Sequence, residues 1–154
     1  MQKRFLFFGL LLMMLATSSG AAYQLTDDEY LVYTDALTNG ELATVRRYID
    51  LGLDINAAYF GWSGVQLAVS RRQLAVVQLL LERGADVNYV HPFTKMTAFH
   101  LAAYNDDELM LRYLANHGAN INAKLNGDLS IVRAIRDEGK TKTLKLLLEL
   151  GVKD

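Results

Sequence analysis

From Leu25 onward, apolar and polar positions follow one long, regular cycle. Four apolar stretches with helical spacing each run into a glycine: Val45–Leu51 before Gly52, Val77–Arg83 before Gly84, Leu111–His117 before Gly118, and Leu144–Leu150 before Gly151. The glycines stand 32, 34 and 33 residues apart. In the second stretch Val76, Val77, Leu80 and Leu81 fall on one side, and Leu74 and Leu79 widen the stripe. A helix that is apolar over so much of its circumference is covered by several neighbours. The closing glycine fits a left-handed stop, which costs a residue with a Cβ about 1 kcal/mol or more. Three of the four glycines precede the same kind of phrase: Leu53-Asp54-Ile55-Asn56, Ala85-Asp86-Val87-Asn88 and Ala119-Asn120-Ile121-Asn122. Its Asp or Asn turns the chain by bonding nearby backbone. Self-similarity at this period predicts a stacked array of equal units, not a single sheet or bundle.

A shorter helix precedes each long one. The pattern predicts it from about Gly64 to Arg71 and from about Ala98 to Asn105, with a further copy after Ser130. Ser63, Thr97 and Ser130 stand where a hydroxyl caps the free N–H groups of a helix start. The first unit opens on Thr26-Asp27-Asp28-Glu29, a capping box with carboxylates at the positive helix end. Small side chains at Ala68, Ala102 and Ala103 let paired helices approach. The last unit stops three residues after Gly151 and carries Lys140, Lys142 and Lys145, which suits a polar terminal cap.

Residues 1–22 break the pattern. Lys3 and Arg4 precede an apolar run from Phe5 to Leu15, then small residues through Ala22. That order is a secretory signal peptide, with cleavage expected after Ala21 or Ala22. The apolar run rises only about 16 Å as a helix, short of a bilayer core of about 30 Å. Residues 23–154 then form the exported domain, with units at about 25–56, 57–88, 89–122 and 123–154. The chain has no cysteine, which excludes disulfides, thiolate metal sites and a lipidated cysteine anchor. A periplasmic or secreted product with no membrane attachment after cleavage is expected. Without Lys3 and Arg4, 14 basic residues face 17 acidic ones, a net charge near −3 that argues against nucleic acid.

The units resemble the ankyrin repeat. The family phrase Thr-Pro-Leu-His appears as Thr97-Ala98-Phe99-His100, followed by Leu101-Ala102-Ala103. The family ending appears as Leu79-Leu80-Leu81-Glu82-Arg83-Gly84-Ala85-Asp86-Val87-Asn88. The likeness runs from about Leu25 to Asp154. It departs in lacking the family proline, in a connection between Asn56 and Ser63 one residue short, and in one between Asn88 and Thr97 one residue long. The resemblance implies an all-α solenoid of four helix-turn-helix repeats with short hairpin loops, and a protein-binding function.

Candidate chemistry is sparse. His100 falls on the family's structural histidine. His117 sits at a helix C-terminus, where an imidazole is favourable, and His91 falls at a loop tip. No pair of histidines has metal-ligand spacing. Asp106-Asp107-Glu108 and Asp27-Asp28-Glu29 read as helix starts. Gly61-Trp62-Ser63-Gly64 fits the repeat phase better than a phosphate loop. No enzyme activity, metal or cofactor is expected.

The resemblance places partner contacts at hairpin tips and on the exposed face of the short inner helices. Those positions are Tyr59, Phe60, Trp62, Ser70 and Arg71, then Phe93, Met96, Tyr104 and Asn105, then Leu129, Asp137 and Glu138; Tyr30, Thr38, Asn39, Tyr89, His91 and Asn126 lie nearby. Large rings at exposed tips leave apolar area in water unless something covers it. They either grip a partner or cover the next hairpin. On the first alternative, removing Phe60 and Trp62 together would abolish capture and barely move the melting curve. The expected role is a monomeric module that binds one protein partner as an accessory factor to an exported enzyme. The alternative is an immunity protein that inhibits a toxin delivered to the periplasm.

Overall fold

The computed structural model describes residues 22–154. The proposed signal peptide, apart from Ala22, lies outside the described residues. The chain forms inner and outer helices in alternation. The inner helices are α1 (Asp27–Asn39), α3 (Gly64–Ser70), α5 (Ala98–Tyr104) and α7 (Ile131–Asp137). The outer helices are α2 (Leu42–Asp50), α4 (Leu74–Glu82), α6 (Glu108–Asn116) and α8 (Thr141–Glu149). Each inner helix packs on its outer partner and on the inner helices beside it, so α1, α3, α5 and α7 form one row. Two short antiparallel ladders add to the all-α plan. The first pairs β1 (Ala58–Tyr59) with β2 (Trp62–Ser63), and the second pairs β3 (Lys124–Leu125) with β4 (Leu129–Ser130).

The inner helices begin where the hydroxyls stand. The side chains of Thr26, Ser63, Thr97 and Ser130 accept from the backbone N–H groups of Glu29, Gln66, His100 and Arg133. The outer helices end at Gly52, Gly84, Gly118 and Gly151, all left-handed with φ between 81° and 89°. The four glycines therefore occupy equivalent corners of one solenoid. Buried leucines, valines and alanines, including Leu37, Leu80, Leu111, Leu114 and Leu147, form a single core running through every repeat.

Two hydrogen-bond ladders fix the repeat-to-repeat register. Beyond the closing glycines, Asn56 Oδ1 accepts from Asp86 N, Asn88 Oδ1 from Asn120 N, and Asn122 Oδ1 from Lys153 N, at 2.6–2.8 Å. At the inner helices, Gln66 Nε2 donates to the carbonyls of Tyr89 and Met96, and His100 Nε2 to that of Ala123 at 3.0 Å. His100 is fully buried and its Nδ1 accepts from Thr97 N, so Nε2 carries the ring proton in its bond to Ala123. It plays the structural part its position implied, and burial holds its pKa below the usual imidazole range.

Candidate partner-binding surface

The hairpins stand at one edge of the helix row, and each reaches its shape differently. The first turns at Phe60 and Gly61, both with positive φ, 52° and 83°. A side chain at φ above zero is strained, and the position is usually left to glycine. Here the strain aims Phe60 outward: its ring is 86% exposed, with only an edge-on contact to Tyr30. The third repeat's hairpin has no strand ladder. Its extra residue is absorbed by a tight turn in which His91 N donates to Met96 O and Lys95 N to His91 O. His91 is buried, not at the tip; its Nδ1 faces Phe93 N, Thr94 N and the Thr94 hydroxyl at 3.1–3.3 Å. That internal post leaves Phe93 80% exposed beyond it, and Asn126 Nδ2 holds the Phe93 carbonyl from the next repeat.

The other rings behave otherwise. Tyr59, expected at the surface, is buried against Tyr30 and Tyr33, and its hydroxyl finds no hydrogen-bond partner among the described residues. It points inward because strand neighbours alternate faces and Ala58 takes the outer one. Burial pushes its phenol well above the usual tyrosine range, and that of Tyr33 up to about 12. Trp62 is half-buried and stacks on His91 at 4.0 Å between ring centroids. It thus covers the next hairpin, so its removal is expected to cost stability. The small melting change expected for loss of Phe60 and Trp62 together applies to Phe60 alone. Met96 and Leu129 are half-buried beside the tips.

On the inner-helix face, Ser70, Arg71, Asp137 and Glu138 are exposed, Glu138 in an ion pair with Lys140 at 3.4 Å. Asn105 is not free. Its Nδ2 donates to the carbonyls of Val69 and Ser70, capping the end of the preceding inner helix. Gln73 does the same for Thr38 and Lys140 for Tyr104. Tyr104, half-buried, is held in this joint. Sequence spacing could not separate these braces from contact residues, because both stand on the same helix face. Asp106 belongs to the joint too: the Thr143 hydroxyl donates to it at 2.6 Å and Lys140 pairs with it, holding its carboxyl below the ordinary range. The surface left for a partner is two exposed phenylalanines at the hairpins and a polar, charged helix face.

The family profile for ankyrin repeats, in three copies, matches residues 67–154. The chain belongs to the ankyrin-repeat family. This ankyrin protein is 24% identical over 135 residues to a Rickettsia felis protein described as an ankyrin repeat protein, a span covering 87% of this chain and 47% of that one. It is 28% identical over 65 residues to the ankyrin repeat, SAM and basic leucine zipper domain-containing protein 1 of Loxodonta africana, covering 42% of this chain and 14% of the relative. It is 27% identical over 110 residues to the ankyrin repeat and KH domain-containing protein mask-1 of Caenorhabditis elegans, covering 71% and 4%. The chain thus spans less than half the length of these relatives. Ankyrin repeats are protein–protein interaction modules and generally carry no catalysis.

Proposed function

We propose that this ankyrin protein is a monomeric, non-catalytic binding module of an exported compartment. It grips one protein partner through its hairpin tips and inner-helix face, as an accessory factor to an exported enzyme. The observation that carries the reading is the pair Phe60 and Phe93. Each ring is held in water by the hairpin beneath it, through a left-handed backbone in one case and a buried histidine that also carries Trp62 in the other. Exposed aromatic rings on rigid supports are what dominates the energy of protein interfaces. Arg71, Asp137 and Glu138 add a charged rim. Export rests on the leader pattern of residues 1–22.

The test joins the two halves of the proposal. Mass spectrometry of periplasmic fractions is expected to find a chain beginning at Ala22 or Tyr23 together with one bound protein. The variant carrying Phe60→Ser and Phe93→Ser is expected to be exported, to melt like the parent and to lose that protein. Retention of the partner by the double variant would sink the tip reading, and a chain kept in the cytoplasm with Met1 intact would sink export. A second reading is favoured by the acidity of the first repeat, where seven carboxylates face two arginines across residues 23–56. Such a surface suits an immunity protein that covers a basic toxin cleft. It predicts a bound hydrolase whose activity falls on binding, whereas an accessory role predicts activity kept or raised.

A further inference from the structure

We infer that the open end of the first repeat is a second docking face, and that it takes a basic amphipathic helix of a protein partner. The register of the repeats identifies the face. Val32 stands eight residues before the left-handed Gly40, and Gly64, Ala98 and Ile131 stand at the same remove from Arg72, Asp106 and Gly139, which share that conformation. Those three positions are buried, on helices that pack against the preceding inner helix; a Cβ at Gly64 would lie 3.6 Å from the Leu37 side chain. Among the described residues no helix precedes α1 to cover Val32, which is 48% exposed, with Leu31 beside it more exposed still. Leu31, Val32, Thr34, Asp35 and Thr38 line an open groove of about 480 Å³.

The shape of the occupant follows from continuity with the joints already built. Every other inner helix is flanked by a helix at this position, so what fits over Val32 is a helix with an apolar side chain placed as Leu37 is over Gly64. Charge specifies the rest. Asp28, Val32, Asp35 and Asn39 fall at spacings of four, three and four residues along α1, one helical stripe with carboxylates two turns apart. Among the described residues no ion pair engages Asp28 or Asp35. The first repeat carries a net charge of −5 against +2 for residues 123–154. Lysines or arginines two turns apart on the partner helix answer those carboxylates.

A second copy of the chain is the weaker occupant. Its free end would have to present α7, where Arg136 takes the place that buried Val69 and Ala103 hold in other repeats and pairs with Asp154 at 2.8 Å. Stacking there would strip water from an ion pair.

This inference does not rest on the hairpin-tip reading. Its probe is a synthetic amphipathic helical peptide of leucine, alanine and lysine, about 15 residues long so that it can hold a helix. A second peptide carries glutamate in place of lysine. Titrated into the whole protein, the lysine peptide is expected to shift the amide resonances of Leu31, Val32 and Asp35. Asp28→Asn with Asp35→Asn, or Val32→Ser alone, is expected to weaken it about tenfold. The glutamate peptide is expected not to bind, and Phe60→Ser with Phe93→Ser is expected to leave lysine-peptide affinity unchanged. The proposal is overturned if the lysine peptide fails to bind, shifts the hairpin tips instead, or binds the Asp28/Asp35 variant equally well. It is overturned too if the protein alone associates with rising concentration through Val32.

Discussion

The two ends of the solenoid solve the same problem in opposite ways. Among the described residues, the inner helix at each end has an inner-helix neighbour on one side only. At the last repeat, side chains complete the stack. Arg133 stands where Gln66 and His100 would reach toward a following hairpin, Arg136 replaces a buried valine or alanine, and Asp154 folds back to bond both Arg136 and Ser130. At the first repeat, Tyr23 N donates to Gly52 O and its hydroxyl to Glu29, so the leading segment covers the turn side of the repeat. The inner-helix side stays apolar at Leu31 and Val32. A solenoid gains its core by contact between neighbours, so an end must either turn polar or wait for a neighbour. Here one end does each.

That contrast can be broken by comparing equivalent positions. The largest effect belongs to Ile131→Ala, which empties a buried site in the last joint and is expected to cost about 2–5 kcal/mol in chemical denaturation. Val32→Ala, at the same position of the first repeat, is expected to stay within about 0.5 kcal/mol. Equal losses at the two sites would mean that the first end is already covered. Gln66→Ala is expected to cost about 1–3 kcal/mol, since it takes the side-chain donor from the half-buried Tyr89 carbonyl and leaves that of Met96 with His91 N alone. His100→Gln sharpens the point, because glutamine already performs this task one repeat earlier. Burial depresses the His100 pKa, so the unfolded chain takes up the proton first and the fold's stability is complete above the ordinary imidazole range near 6.5. As pH falls through that value toward the lower folded one, stability is lost, and His100→Gln is expected to flatten that part of the denaturation-versus-pH curve. The smallest effect is at the polar end. Arg136→Ala is expected to leave the melting temperature almost unmoved while amide exchange at Lys153 quickens, and a large fall in melting temperature would make that end a part of the core.

The repeat plan was legible because it depends on spacing. The capping hydroxyls at Thr26, Ser63, Thr97 and Ser130, the closing glycines and the His100 brace are tied to positions a fixed distance from one another. The hairpins were not legible in the same way. Four to eight residues without a period do not say which ring turns inward. Tyr59 is buried because β1 turns Ala58 outward and Tyr59 inward, and Phe60 is exposed because the left-handed turn after the strand carries it out. His91 went inside because the third repeat's hairpin, one residue longer, had room to fold a ring beneath its own backbone. Asn105 looked like a contact residue until its amide proved to close the preceding helix.

The asparagine ladder has a consequence for how such a molecule changes over generations. Each joint includes a bond between one asparagine and the backbone N–H of the unit that follows, at Asn56, Asn88 and Asn122 alike. Because this one fastening recurs at each seam, it survives when a unit is spliced in or lost, whereas the Gln66 and His100 bonds differ from seam to seam and must be refitted. The lineage is then free to lengthen or shorten its reach while the residues that greet a partner are revised separately.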